Sequence, residues 1–429
     1  MAKEQPGKSR REFISAAAGA ALSTAAVPLM RSGSAQAESD GKLQVALVGP
    51  GIRGSGLWGK TLHENYSDVI EFVGLCDINS RRMEFAREYM GVTCSTFTDF
   101  DTMIKKTGPD AVIVTTVDCF HAKYICRAME LGCDVITEKR TGKHIRVTFN
   151  YRYGPCAERV KEILMSGEIG HITSVDFSYF LDTDHGASYY RRWHAFKQNS
   201  GSLLVHKSTH HFDLLNWWLN AEPVEVNAHG KLRHYGWNSS FRGERCMNCK
   251  HKSTCPYYWD ITKNEFLMNL YVRPESEDGY IRDACLFRET INIWDTMAAQ
   301  VRYHNDVLLN YSLNSCMPYE GYAAGFNGTK GRLDVREYHN QPWEVDRLAD
   351  LRITSNFGNT RIFTIRGGGE GHWGGDAKMQ DMIFRGPMPD PLGQTAGTRA
   401  GALSIMIGVA ARRSIEQQRP FMIEELVKI

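Results

Sequence analysis

The chain has 429 residues, more than one hydrophobic core commonly organises, so two domains are expected. With 42% hydrophobic residues, 23% charged residues and a formal net charge of +2, it reads as globular and offers no basic surface for nucleic acid. No later run reaches the ~18 consecutive apolar residues of a membrane helix, so no membrane span is expected.

The N-terminus differs in kind. Ser9-Arg10-Arg11-Glu12-Phe13-Ile14 leads into an Ala-rich apolar run ending at Met30, and Ala35-Gln36-Ala37 follows. Paired arginines, a weakly apolar stretch and small residues at the end make a twin-arginine export signal over residues 1–37. The mature protein is expected to begin near Glu38 and to reside in the periplasm or outside the cell.

Leu43–Val48 is a β-branched apolar run of the kind a buried parallel strand needs. Gly49-Pro50-Gly51-Ile52-Arg53-Gly54 follows at once, a G-x-G-x-x-G turn into helix-like sequence. Gly49 permits the turn, Gly51 the approach of a pyrophosphate, and Gly54 close packing of helix on strand. The amides at the helix start, Ile52 and Arg53, then face the anion. A second strand, Ile70–Cys76, ends on Asp77, placed to accept hydrogen bonds from ribose hydroxyls. The same charge repels a 2′-phosphate, which favours NAD over NADP, although Arg81 and Arg82 close behind could counter that repulsion. Asp110–Thr116 and Cys133–Thr137 give two more strands, with helical spacing from Ala122 to Leu131. The alternation predicts a Rossmann-type parallel α/β sheet over residues 38–150.

These residues resemble the Gfo/Idh/MocA oxidoreductase family. The likeness rests on Gly49 to Gly54, Asp77, Thr115-Thr116 with His121, and Glu138-Lys139, and continues through Asn150-Tyr151-Arg152-Tyr153. It implies Thr115, His121 and Glu138 around the cofactor, Tyr153 at the substrate, and Lys139 as a catalytic lysine beside a nicotinamide. Here the turn reads Glu138-Lys139-Arg140, without the family's proline. A parallel crossover needs about a dozen residues, and Arg140 to Lys143 cannot supply one before His144–Phe149. The family's helix at this point is therefore expected to be missing. Either Ile145 to Phe149 pairs elsewhere, or the sheet edge is frayed.

Beyond Tyr153, helical spacing over Val160–Met165 precedes alternating runs at Ile172–Leu181, Val224–Ala228, Val301–Leu313 and Arg361–Arg366. They predict an α+β domain over 151–429 with a large, mostly antiparallel sheet; the resemblance implies homo-oligomers through that sheet. The densest polar run is His206-Lys207-Ser208-Thr209-His210-His211-Phe212-Asp213. His206 and His210 share a helical face. The resemblance makes His210 the group exchanging a proton with a sugar hydroxyl, with His206 and Asp213 beside the substrate; an imidazole suits that task. Tyr190, Arg191 and Trp193 combine ring faces with donors, as sugar sites do.

Of eleven cysteines, Cys246, Cys249, Cys255 and Cys285 mark an insertion near residues 240–290. Two close cysteines plus two later ones can surround a tetrahedral structural zinc; paired disulfides or an iron–sulfur cluster are the rivals. The resemblance implies an oxidoreductase using NAD or NADP, tightly held because free cofactor is scarce outside the cytoplasm, on a sugar, glycoside or cyclitol. A glycosidase or lyase cycling bound NAD, and a non-catalytic sugar-binding protein, are the alternatives.

Overall fold

The computed structural model describes residues 41–137, 145–367, 371–386 and 388–427. Residues 1–37, expected to be a twin-arginine signal, and Glu138 and Lys139 lie outside them. The first sheet contains β1 (Leu43–Val48), β2 (Ile70–Cys76), β3 (Ser95–Phe97), β4 (Ala111–Val114), β5 (Asp134–Thr137) and β6 (Ile145–Val147). All pairs are parallel, in the order β3-β2-β1-β4-β5-β6. Val45, Ala46 and Leu47 have no exposed surface, because helices cover both faces of a sheet of this type. The order reverses between β1 and β4, so the crevice at their carboxyl ends is where such folds take a ligand.

The second sheet holds β7 (Ile172–Asp182), β8 (Pro223–Lys231), β9 (Thr296–Tyr303), β10 (Leu308–Met317) and β11 (Glu320–Gly328). It continues through β12 (Gly331–Asn340), β13 (Ala349–Ser355), β14 (Thr360–Ile365) and β15 (Phe421–Met422). The order is β14-β13-β12-β11-β7-β10-β9-β8-β15, and only β7 and β10 run parallel. One face packs on helices Ser208–Leu219 and Thr398–Gln417, whose Phe212, Leu215, Ile407 and Ala411 are buried among the strand residues. The other face carries polar pairs, such as Asn310 with Asp176 and Ser312 with Ser178. This is the predicted Rossmann sheet followed by a mostly antiparallel α+β domain.

Two features depart from a simple reading of the chain. Residues beyond 150 do not all stay with the second sheet: Met379 lies in the core of the first, and Ala396 in its other apolar layer. Of the two alternatives expected after residue 144, pairing of Ile145 to Phe149 elsewhere is corrected for Ile145–Val147. β6 pairs in parallel with β5, Val135 opposite Ile145, with residues 138–144 between them. Its seat comes from the far end of the chain. Val147 donates its amide to Ala396 O (3.2 Å), and Gly401 packs against the Val147 side chain.

Candidate active site

The glycine turn is built as its sequence requires. Gly49 has φ +84°, and a Cβ there would lie 2.8 Å from Thr116 backbone. A Cβ on Gly54 would meet Thr115 Oγ1 at 2.6 Å and Gly49 O at 2.7 Å. Thr115 Oγ1 donates to Gly49 O (2.9 Å), tying the turn after β1 to the end of β4. His121 Nε2 lies 2.8 Å from Thr116 O and fixes the same loop. The Ile52 amide donates to the Tyr271 hydroxyl (3.0 Å), a residue of the Cys-rich insertion. Asp77 is buried, which raises its pKa; its Oδ1 receives the Asn79 amide (2.9 Å) and Arg82 Nη1 (3.2 Å). The described residues among those expected around a dinucleotide, Gly49 to Gly54, Asp77, Thr115 and His121, are thus gathered at the carboxyl ends of β1, β2 and β4, with the Tyr271 hydroxyl against Gly51 and the Ile52 amide.

The histidine segment meets this crevice from the second domain. His206 Nδ1 is 2.7 Å from Oδ2 of Asp118, which begins the helix after β4. His210 faces the rings of Phe149 (centroids 5.8 Å) and Tyr151 (5.4 Å). Between them lies Lys207, buried, with Nζ donating to the Tyr151 hydroxyl (2.9 Å). Burial opposes its charge, but Tyr151, Tyr189 and Glu320 outweigh that and hold its pKa above the ordinary lysine range. Beneath it, Glu320 accepts from His185 (2.9 Å), and His339 Nε2 lies 2.9 Å from Glu337. Next to Tyr151, whose ring centroid is 5.3 Å from that of His372, Asn150 Nδ2 donates to Asp376 Oδ1 (2.7 Å), and His372 Nδ1 lies 2.9 Å from Oδ2. Arg53 of the glycine turn stands 3.7 Å from Asp376. Burial favours the neutral form of Asp376, but His372 and Arg53 prevail and hold its pKa at about 2.

Two family models match the chain: "Oxidoreductase family, NAD-binding Rossmann fold" over residues 43–140 and "Oxidoreductase family, C-terminal alpha/beta domain" over 161–423. The chain belongs to the Gfo/Idh/MocA oxidoreductase family. It is 35% identical over 425 residues to YteT of Bacillus subtilis (strain 168), covering 90% of this chain and 99% of that one. It is 26% identical over 200 residues to "Glycosyl hydrolase family 109 protein 1" of Akkermansia muciniphila, 38% of this chain and 40% of that one. Among solved structures, a levoglucosan dehydrogenase in complex with NADH and levoglucosan shares the fold. Its TM-score is 0.60 at 16% identity, with 89% of this chain and all of that chain covered.

Within this family member, the other expected substrate residues divide by the side of the backbone they occupy. Trp193 packs near His206 (5.5 Å between centroids), together with Tyr189 and His194. Tyr190 instead stacks on Tyr235 in the core, with its hydroxyl donating to Trp294 O (2.8 Å). Arg191 turns to Cys246 Sγ (3.0 Å). Asp213 is held by Arg152 through Nε (2.7 Å) and Nη2 (2.6 Å), a buried ion pair, and Tyr153 sits in the core beneath the first sheet. These four therefore support the site from outside it. Asp118, Tyr151, Lys207 and Tyr271 were missed. The first three adjoin residues already singled out, so proximity to a strand end or to His206 could have flagged them. Tyr271 gives no such signal.

Cys246, Cys249, Cys255 and Cys285 line one cavity with Arg191 and Phe287. All four are free thiols, and among the described residues no group of three or more His, Cys, Asp or Glu side chains is set to hold a metal ion. The expected metal centre is thus a thiol-lined cavity here. Its sulfurs are engaged by amides two residues on: the His251 amide reaches Cys249 Sγ and the Phe287 amide Cys285 Sγ, each at 3.4 Å.

Proposed function

We propose that the chain is an NAD(P)-dependent oxidoreductase acting on a hydroxyl of a sugar, glycoside or cyclitol. The observation that carries this reading is the seating of His206 against Asp118, after β4 at the strand-order reversal, with Lys207 and His210 against Tyr151 next to it. A bound nicotinamide supplies the hydride acceptor. His210 exchanges the proton of the reacting hydroxyl, Lys207 and Tyr151 present a cation and a hydroxyl beside it, and Trp193 offers a ring face. Lys139 remains our candidate for a second proton-handling group. Inositol and glucoside dehydrogenases among the relatives support the substrate class.

Export by the twin-arginine route, and assembly through the open sheet face, belong to this proposal. So does tight cofactor retention. Zinc in the cysteine cavity is a further part of the proposal, and the metal content of purified protein tests it. The alignment with YteT spans more positions than the matched 90% of this chain can fill, which supports a shortened chain. The glycosyl hydrolase relatives favour one second reading, in which bound NAD is reduced and restored within each glycosidic cleavage.

The test is incubation with NAD and a panel of sugars, inositols and aryl glycosides. Net growth of the NADH absorbance band, with His210→Ala slower by about 100-fold or more, is expected. Aglycone release without net NADH selects the second reading. Neither signal from a folded protein overturns both.

A further inference from the structure

Resting on the dinucleotide reading, the geometry points to Glu277 and Asp278 as an internal occupant of the 2′-phosphate position, selecting NAD over NADP. In a Rossmann fold the acidic residue after β2 reads the ribose hydroxyls, and a nearby arginine takes the 2′-phosphate when there is one. This chain has both: Asp77, and then Ser80-Arg81-Arg82 at the start of helix Ser80–Met90. A hydroxyl, two guanidinium groups and helix-start amides are together the donor set that a phosphate needs.

Those groups are already taken, and by carboxylates from the Cys-rich insertion. Glu277 Oε2 accepts from the Ser80 amide (2.7 Å), the Ser80 hydroxyl (3.1 Å) and the Arg81 amide (3.4 Å). Its Oε1 lies 3.4 Å from Arg81 Nε. Arg82 is engaged at each of its three nitrogens: Nη2 to Asp278 (2.6 Å), Nη1 to Asp77 (3.2 Å) and Nε to Leu270 O (3.2 Å). The Arg82 side chain is only 8% exposed, and Asp278 equally so. A guanidinium buried between two carboxylates cannot turn to a phosphate without leaving both unpaired. A 2′-phosphate would also meet the charges of Glu277 and Asp278 at close range. Both contacts to Asp77 fall on Oδ1, which assigns Oδ2 to the ribose hydroxyls of NAD.

The double variant Glu277→Gln/Asp278→Asn keeps shape and acceptor oxygens while removing both charges. NADH and NADPH binding are titrated by nucleotide fluorescence, with melting temperature as the check on folding. Wild type should prefer NADH by about 100-fold or more, and the variant should bind NADPH about tenfold tighter with NADH within about threefold. If the double variant does not fold, the more exposed Glu277→Gln alone should still tighten NADPH. Unchanged selectivity in a folded variant that binds NADH overturns this proposal alone. Wild type that binds neither nucleotide overturns the dinucleotide reading and this proposal with it.

Discussion

His339 shows how much of the site depends on single buried charges. It lies between Glu320 and Glu337 with 9% of its side chain exposed. Burial works against its protonation, but the two glutamates, Glu337 at 2.9 Å and Glu320 at 3.9 Å, prevail and raise its pKa to about 9, from an ordinary value near 6.5. A folded-state pKa above the unfolded one adds stability that is complete below about pH 6.5 and is lost as pH rises through about 9. Glu320, held below the usual range by His185 and His339 against the effect of burial, acts at the other end, losing its contribution as pH falls. Raising the pH from about 6 to about 10 should therefore lower the melting temperature by about 5 °C, from a linkage of about 3 kcal/mol. His339→Gln should flatten that slope, and an undiminished slope in the variant would count against the assignment. At this scale the sequence was half legible. His206 and His210 announce themselves by spacing, and the glycine turn by its motif. Tyr190 and Arg191 do not, because composition says which residues can bind a sugar but not which side of a short helix they occupy.

Helix Thr398–Gln417 is the element behind the histidine segment. A Cβ on its Gly408 would lie 2.2 Å from Leu204 O, so the two backbones touch where Leu203–His206 begins the segment. Gly408→Ala should cost about 1–3 kcal/mol through overpacking, read by thermal or urea melts, and should weaken turnover by displacing His206. A variant as stable as wild type would show that the contact is not needed. Most elements could be read from the chain, because β1, β2 and β4 are short apolar runs and the helices keep their period. The seat of β6 could not. It depends on Ala396 and Gly401, some 250 residues away, and local pattern carries no information about such a partner. The insertion is similar: its cysteines were conspicuous, whereas its laying of Tyr271, Glu277 and Asp278 on the nucleotide end depends on tertiary packing.

At the scale of the molecule, two sheets meet so that the glycine turn, the end of β4 and the histidine segment share one crevice. Asp376 and its partners Asn150, His372 and Arg53 tie the second domain back to that turn. Fold class and the nucleotide end were legible because glycines and an acidic strand end are steric and electrostatic necessities of the fold. The residues proposed to handle the proton were less so, since their setting depends on which groups the second domain brings across. The most direct test of the account is fluorescence titration of the purified protein with NADH. The prediction is saturable binding of one nucleotide per chain. A folded protein that binds neither NADH nor NADPH in a saturable way, and releases none on denaturation, would contradict it.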